Sequence, residues 1–161
     1  GLISLFLKKH SQNCTIHAWD NSKNALAIAI KNADQNNLDI NFNNIDILKN
    51  HSFKIKFDLI VSNPPYVNKK EKGSISNLVK KNEPSEAIFV DSKDDLLFYK
   101  AIIKFSKSHL NENGIVYFEC HKERINKVKN LLIINKFTDI KIKKDSFGID
   151  RMIQAKNYGY V

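Results

Sequence analysis

The hydrophobic and polar positions along the chain predict β-strands that alternate with α-helices. Short runs rich in β-branched and aromatic residues predict strands, and longer segments with apolar residues three or four positions apart predict helices. Helices are expected over residues 1–10, 22–36, 94–110 and 122–135, and strands over 15–19, 40–45, 57–62, 115–120, 138–143 and 151–156. Ser22 can cap the second helix, and Asp94 and Asp95 would open the third. The apolar stripe of the second helix would consist of Ala25, Leu26, Ile28, Ala29 and Ala33. This alternation indicates an α/β fold with a mostly parallel sheet and an antiparallel pair of strands at its C-terminal end.

The tetrapeptide Asn63-Pro64-Pro65-Tyr66 directly follows the strand at 57–62, which we expect to be buried. Proline cannot donate to a sheet ladder and restricts the preceding residue to extended geometry, so the strand has to end there. The stiff backbone then holds the Asn63 side chain and a proline carbonyl outward as two fixed acceptors. Such a pair suits a planar amino group, and the Tyr66 ring offers a face for a flat amide or base. The alternative is an ordinary proline-rich turn, since Asn-Pro is a common turn pair.

Polar residues follow three successive predicted strands, at Asp20, Asp46 and Asn63. Ligands of parallel α/β sheets bind beyond the carboxyl ends of the strands, so we expect these side chains to line one crevice. Asp20 is placed to accept hydrogen bonds from the two hydroxyls of a ribose. Two simpler alternatives remain, that Asp20 caps the helix that follows it and that Asp46 occupies a turn. Residues 67–91 show no sustained period and predict a long loop, which in a compact domain is usually functional.

Composition narrows the class of protein. With 161 residues, 42% hydrophobic and 27% charged, the chain has the size and balance of one globular domain. No apolar run approaches the ~20 residues that span a bilayer, and no signal-peptide pattern opens the chain, so we expect a cytoplasmic protein. Cys14 and Cys120 are isolated, which predicts buried thiols in a reducing compartment rather than a disulfide or a metal site.

The net charge of +9 raises the question of nucleic-acid binding. Nearly all of the positive charge is lysine spread along the chain, and only Arg124 and Arg151 are arginines. We therefore do not expect a dedicated nucleic-acid surface, although this charge would help association with ribosome-bound partners.

Several segments together carry a resemblance to the HemK family, the peptide-chain release factor glutamine methyltransferases. Besides the tetrapeptide, residues 82–87, Gly114 before its strand and the segment 147–151 (Phe-Gly-Ile-Asp-Arg) match the pattern of that family. The chain resembles the family from Gly1 to about Lys156. The resemblance implies a Rossmann-like class I methyltransferase sheet.

The resemblance also implies S-adenosyl-L-methionine as the cofactor. Gly1 would be the last glycine of the loop that approaches the methionine part of the donor, and Asp20 would bind its ribose. Asp46 would accept a hydrogen bond from the adenine amino group, and Ile47 would pack on the adenine ring. The family often has an aromatic residue at the position of Ile47, so stacking would be weaker here.

On this resemblance the catalytic residues are Asn63, Pro64, Pro65 and Tyr66. The Asn63 side-chain oxygen and the Pro64 carbonyl would accept hydrogen bonds from the two N–H groups of a glutamine amide. Those bonds would orient the nitrogen and stabilise the positive charge that develops on it. No strong base is required, because the proton can leave after the methyl group has been transferred.

The resemblance further implies that residues 1–161 are a methyltransferase domain truncated at its N-terminus. The first strand of the family, central in its sheet, and most of the glycine-rich loop would precede residue 2, and a helical substrate-docking domain would precede them. We expect the chain alone to bind the donor poorly. The expected activity is methylation of a glutamine in a release factor. Alternatives are a ribosomal-protein glutamine methyltransferase, an adenine N6-methyltransferase of DNA or RNA, and an inactive remnant that serves as an interaction module.

Overall fold

The computed structural model describes residues 1–49, 53–65, 67–68, 89–90 and 94–159. The chain divides into two units, residues 1–50 and residues 51–161. The first unit consists of α1 (Leu2–His10), β1 (His17–Asp20), α2 (Lys23–Gln35) and β2 (Asn41–Asn44). The second consists of β3 (Phe57–Ser62), β4 (Val67–Asn68), β5 (Phe89–Val90), α3 (Leu97–His109), β6 (Leu110–Glu119), α4 (Ile125–Ile134), β7 (Phe137–Lys144) and β8 (Asp150–Asn157).

In the first unit β1 and β2 form a parallel pair, in register from His17 opposite Asn41 to Asp20 opposite Asn44. Helix α2 begins as predicted, because the Ser22 hydroxyl accepts a hydrogen bond from the Ala25 backbone N–H at 3.2 Å.

The buried stripe of α2 is narrower than the sequence suggested. Leu26, Ala29 and Ala33 are buried, whereas Ile28 is 63% exposed. Two positions along a helix correspond to about 200° of rotation, so Ile28 lies opposite Leu26 and outside the stripe. Including Ile28 in it was wrong.

In the second unit the main sheet has the strand order β3-β6-β8-β7. Strand β3 runs parallel to β6, and β8 runs antiparallel to both of its neighbours, so the predicted C-terminal antiparallel pair is confirmed. The expectation of a loop without strands over 67–91 needs correction. Val67 and Asn68 pair in parallel with Phe89 and Val90, and residues 69–88 lie outside the described residues.

One face of this sheet carries the core of the second unit. Val116, Phe118 and Ile153 are at most 1% exposed, and the Tyr99 ring of α3 meets the Phe118 ring edge-on at 5.5 Å. The opposite face is more open, since Leu59 is 42% exposed and Val61 is 39% exposed. The prediction that β3 is buried was therefore wrong for alternate residues, because successive side chains of a strand point to opposite faces.

Within the described residues β1 pairs only with β2, and β3 pairs only with β6. Each of these strands keeps one edge without a ladder partner in that part of the chain. The expectation that β1 and β3 lack a strand that they would share stays a prediction. A search of the described residues found no helix long and apolar enough to cross a membrane.

Candidate active site

The ends of β1 and β2 place two acidic residues at one edge of the first unit. The Asp20 carbonyl accepts hydrogen bonds from the Ile45 backbone N–H and from the Asn44 side-chain amide, each at 3.0 Å. These bonds hold the two carboxyl ends level, and Asp46 follows two residues after β2 ends. Asp20 and Asp46 therefore lie at the same edge, as the sequence predicted for them.

Asp20 does not cap helix α2, because the N-cap of that helix is Ser22, and its ribose role stays a prediction. Its Oδ1 accepts a hydrogen bond from the Ser22 backbone N–H at 2.8 Å, which closes the turn into α2. The structure shows no partner for Oδ2 within the described residues, and the side chain is half-buried. The hydrogen bond to the Ser22 N–H thus uses one carboxylate oxygen, and the other can still accept a hydrogen bond from a ligand hydroxyl.

Asp46 stands in a turn, the simpler of its alternatives. Its Oδ1 accepts a hydrogen bond from the Leu48 backbone N–H at 3.0 Å, and Lys49 Nζ lies 3.9 Å from Oδ2. Ile47, the first residue of that turn, is half-buried and leaves part of its side chain accessible. The Asp46 carboxylate could accept a hydrogen bond from the edge of a flat base, and the Ile47 side chain could contact its face.

Gly1 is the N-cap of α1, and its carbonyl accepts hydrogen bonds from the Ser4 hydroxyl at 2.8 Å and the Leu5 N–H at 3.2 Å. A Cβ atom at this position would lie 2.5 Å from the Cβ of Ala29. Glycine is needed here because α1 and α2 approach too closely for any side chain. The structure thus gives Gly1 a packing role, and its contact with a donor stays a prediction.

The proline-rich turn begins in the second unit, directly after β3. The last paired residue is Ser62, opposite Phe118 of β6, so the strand ends where the prolines predicted. Asn63 is exposed, Pro64 is buried and Pro65 is half-buried. An anchored proline next to an accessible amide is the arrangement that a fixed acceptor requires. Tyr66 and the matching segment 82–87 lie outside the described residues.

The neighbouring strand end, at Glu119, is held by contacts that sequence reasoning missed. The Tyr99 hydroxyl donates a hydrogen bond to the Glu119 carbonyl at 3.0 Å, and the Cys120 backbone N–H donates to the Arg151 carbonyl at 2.8 Å. Cys120 is fully buried, and its burial raises the pKa of the thiol to about 12. Cys14, by contrast, is exposed, so the prediction that both thiols are buried was wrong for it.

A second unpredicted feature is the ion pair that joins the segment before α3 to the start of α4. Arg124 is 4% exposed and donates from Nε to Asp95 Oδ2 at 3.1 Å, and Lys127 Nζ lies 3.2 Å from the same oxygen. Asp94 and Asp95 were expected to open the helix, but α3 begins at Leu97. The carboxylate of Asp95 instead neutralises a buried guanidinium, which would otherwise be costly.

The predicted residues thus fall into two sets, with Gly1, Asp20, Asp46 and Ile47 in the first unit and the proline-rich turn in the second. The expectation that they line one crevice stays a prediction. Among the described residues no group of three or more His, Cys, Asp or Glu side chains could hold a metal ion.

Comparison with known proteins places these features in context. The family model described as "Methyltransferase small domain" matches residues 1–86. The release factor glutamine methyltransferase of Flavobacterium psychrophilum is 41% identical over 155 residues, which cover 96% of this chain and 54% of that protein. The chain therefore spans about half the length of this curated relative, and the sequence resemblance to that group is confirmed.

Solved structures show the same fold. A methyltransferase from Pyrococcus furiosus superimposes with a TM-score of 0.71 at 21% identity, covering 99% of this chain and 70% of the other. The magnesium protoporphyrin IX methyltransferase from Synechocystis PCC 6803, solved with bound SAM, has a TM-score of 0.58 at 15% identity. That match covers 98% of this chain and 65% of the other. The predicted class I methyltransferase sheet is confirmed by these similarities.

Proposed function

Because this chain belongs to the methyltransferase small domain family, whose model matches more than half of its residues, we propose that it forms the catalytic part of a release factor glutamine methyltransferase. The single observation that carries the proposal is the turn after β3, where Asn63 is exposed and Pro64 is buried. The similarity to release factor glutamine methyltransferases over 96% of the chain supports the same substrate. The protein would act in the cytoplasm, where translation takes place.

The residues at the edge of the first unit fit S-adenosyl-L-methionine. Asp20 offers a second carboxylate oxygen to the ribose hydroxyls, and Asp46 with Ile47 offers an acceptor and an aliphatic surface to the adenine. When bound, the donor would supply an electrophilic methyl carbon. Gly1, at the start of α1, would keep the backbone close to the methionine part of the donor.

The turn of the second unit would bind the glutamine. The Asn63 side-chain oxygen and the Pro64 carbonyl would each accept one N–H of the substrate amide, and Pro65 would hold the turn rigid. Tyr66 would provide a flat surface for the amide. The two acceptors would become more favourable partners as positive charge develops on the nitrogen, which lowers the barrier rather than only improving binding.

The test is methyl transfer from a radiolabelled donor to a purified bacterial release factor, at donor concentrations high enough to offset the weak donor binding expected of this chain. We expect label on the release factor and none on duplex DNA. Asn63→Ala should reduce turnover by about 10²–10³-fold, the usual effect of removing one preorganised hydrogen-bonding partner in an active site. A release factor whose acceptor glutamine is replaced provides the background.

Label on adenine in DNA or RNA, with none on the release factor, would favour the N6-methyltransferase alternative, and label on a ribosomal protein would favour the sister glutamine enzyme. No transfer to any of these acceptors, together with no binding of the donor, would support the inactive remnant. Unchanged turnover in the Asn63→Ala variant would refute the proposed role of the turn.

A further inference from the structure

The loop between β7 and β8 is held by hydrogen bonds between its own residues. Asp145 Oδ1 accepts from the Phe147 N–H at 2.9 Å and from the Ile149 N–H at 3.0 Å. The Gly148 N–H donates to the Asp145 carbonyl at 3.0 Å, and Gly148 has φ +76°, a conformation that favours glycine. The carboxylate of Asp145, the first residue of the loop, thus accepts two of the loop's backbone N–H groups.

Side chains from both strands brace the loop from outside. Arg151 Nε lies 3.5 Å from Asp145 Oδ2, and Lys144 Nζ donates to the Gly148 carbonyl at 3.1 Å. The backbone hydrogen bonds of Ile149 and Phe147 and the Arg151 guanidinium hold the pKa of the Asp145 carboxyl below its usual value. These contacts hold the loop backbone from within and from both strands.

The ring of Phe147 points away from the loop and does not pack within it. Phe147 is 86% exposed, the highest exposure of any large hydrophobic side chain among the described residues. A phenyl ring held in solvent on a fixed backbone loses little conformational freedom when a partner covers it. Aromatic side chains, Phe among them, are enriched at protein interfaces relative to the rest of the surface.

The loop lies at the same edge of the sheet as the proline-rich turn. Strand β7 ends at Lys144 and β8 begins at Asp150, and Met152 near the start of β8 is opposite Glu119 at the end of β6. Ser62 at the end of β3 is opposite Phe118 in the same strand. Adjacent strands are about 4.8 Å apart, so Met152 is about 10 Å from the end of β3, two strands away.

We propose that Phe147 is a docking anchor for the protein substrate, which it holds beside Asn63 while the acceptor glutamine enters the site. The inference rests on the proposed function, because a folded protein whose loop reaches Asn63 would extend across this edge. The partner would present an apolar pocket with an acidic border to the ring. The net charge of +9 and the exposed Lys143, which leads into the loop, favour that polarity.

The experiment compares binding of a fluorescently labelled bacterial release factor to the unaltered 161-residue chain and to Phe147→Ala. We expect about tenfold weaker binding of the variant, which corresponds to about 1.4 kcal/mol, and recovery in Phe147→Trp. Ile134→Ala is the matched control. Ile134 is 75% exposed, but it ends α4 just before β7 begins, at the opposite edge of the sheet, so its replacement should leave binding unchanged.

Binding of Phe147→Ala within twofold of the unaltered chain would overturn the inference, and so would equal weakening by Ile134→Ala or no binding by the unaltered chain. Methyl transfer to a short Gly-Gly-Gln peptide, which is too small to reach Phe147, separately reports the proposed function. Peptide methylation with binding insensitive to Phe147 would refute the docking anchor alone. Binding that depends on Phe147, with neither substrate methylated, would refute the proposed function alone.

Discussion

The hydroxyl group of Tyr99 offers the clearest test of what holds the β6 end beside the proline-rich turn. Tyr99 is fully buried, its ring packs against Phe118, and its hydroxyl donates to the Glu119 carbonyl at 3.0 Å. Tyr99→Phe keeps the ring and removes only the donor. A typical buried hydrogen bond contributes about 1 kcal/mol net, and a buried carbonyl left without its donor costs about 1–3 kcal/mol. We therefore expect Tyr99→Phe to lower the free energy of unfolding by about 1–2 kcal/mol.

The assay is urea unfolding followed by circular dichroism, with Tyr158→Phe as the matched control. Tyr158 is 59% exposed, so loss of its hydroxyl should change the unfolding free energy by less than about 0.5 kcal/mol. Tyr99→Ala, which also removes the ring, should cost about 3–5 kcal/mol. If Tyr99→Phe were as stable as the unaltered chain while Tyr99→Ala were strongly destabilised, the hydroxyl would have no part in holding the strand end, and the reasoning would be refuted.

Two further predictions concern the thiols of Cys14 and Cys120 and the carboxyl group of Asp145. At pH 8 a disulfide-exchange reagent should label Cys14 rapidly and Cys120 only after unfolding. Cys14 is exposed, whereas the Cys120 thiol is buried and its pKa is raised to about 12. Rapid labelling of both thiols would contradict the burial of Cys120. The pKa of the Asp145 carboxyl is lowered from 3.8, so its stabilisation is present above that pH and is lost as the pH falls through the lower folded value. Asp145→Asn should therefore make the free energy of unfolding less dependent on pH below about pH 4, and the Phe147 and Ile149 amides should exchange hydrogen faster. If neither the pH dependence nor the exchange rates changed, the carboxylate would not have this role.

Features that depend on neighbouring residues in the sequence were predicted well. Strand β3 was expected at 57–62 and is found there, because the two prolines stop the ladder whatever surrounds them. The Ser22 cap is likewise local, since its acceptor and the Ala25 N–H are three residues apart. Both predictions needed only short-range geometry.

Features that depend on distant pairing could not be predicted. Asp95 and Arg124 are 29 residues apart, and Tyr99 and Glu119 are 20 apart, so no local pattern indicates that they meet. The exposure of Leu59 also depends on which face of the sheet α3 and α4 cover. Alternation along a strand separates the two faces without saying which of them is covered.

In the second unit, residues that stabilise the fold lie in the middle of the strands, and residues with functional groups lie at the strand ends. Positions in the middle of β6 and β8, such as Val116 and Ala155, are buried, apolar and opposite each other, and they can only pack. At the end of β6 and just after the end of β7, the fold fixes oxygens of Glu119 and Asp145, at the same edge of the sheet as the accessible amide of Asn63. Because β3, β6 and β7 run in the same direction, these ends meet at one edge without any need for long loops. Substitutions in the buried rows should therefore reduce stability with little change in specificity, and substitutions of exposed side chains at the edge, such as Asn63 and Phe147, should do the reverse.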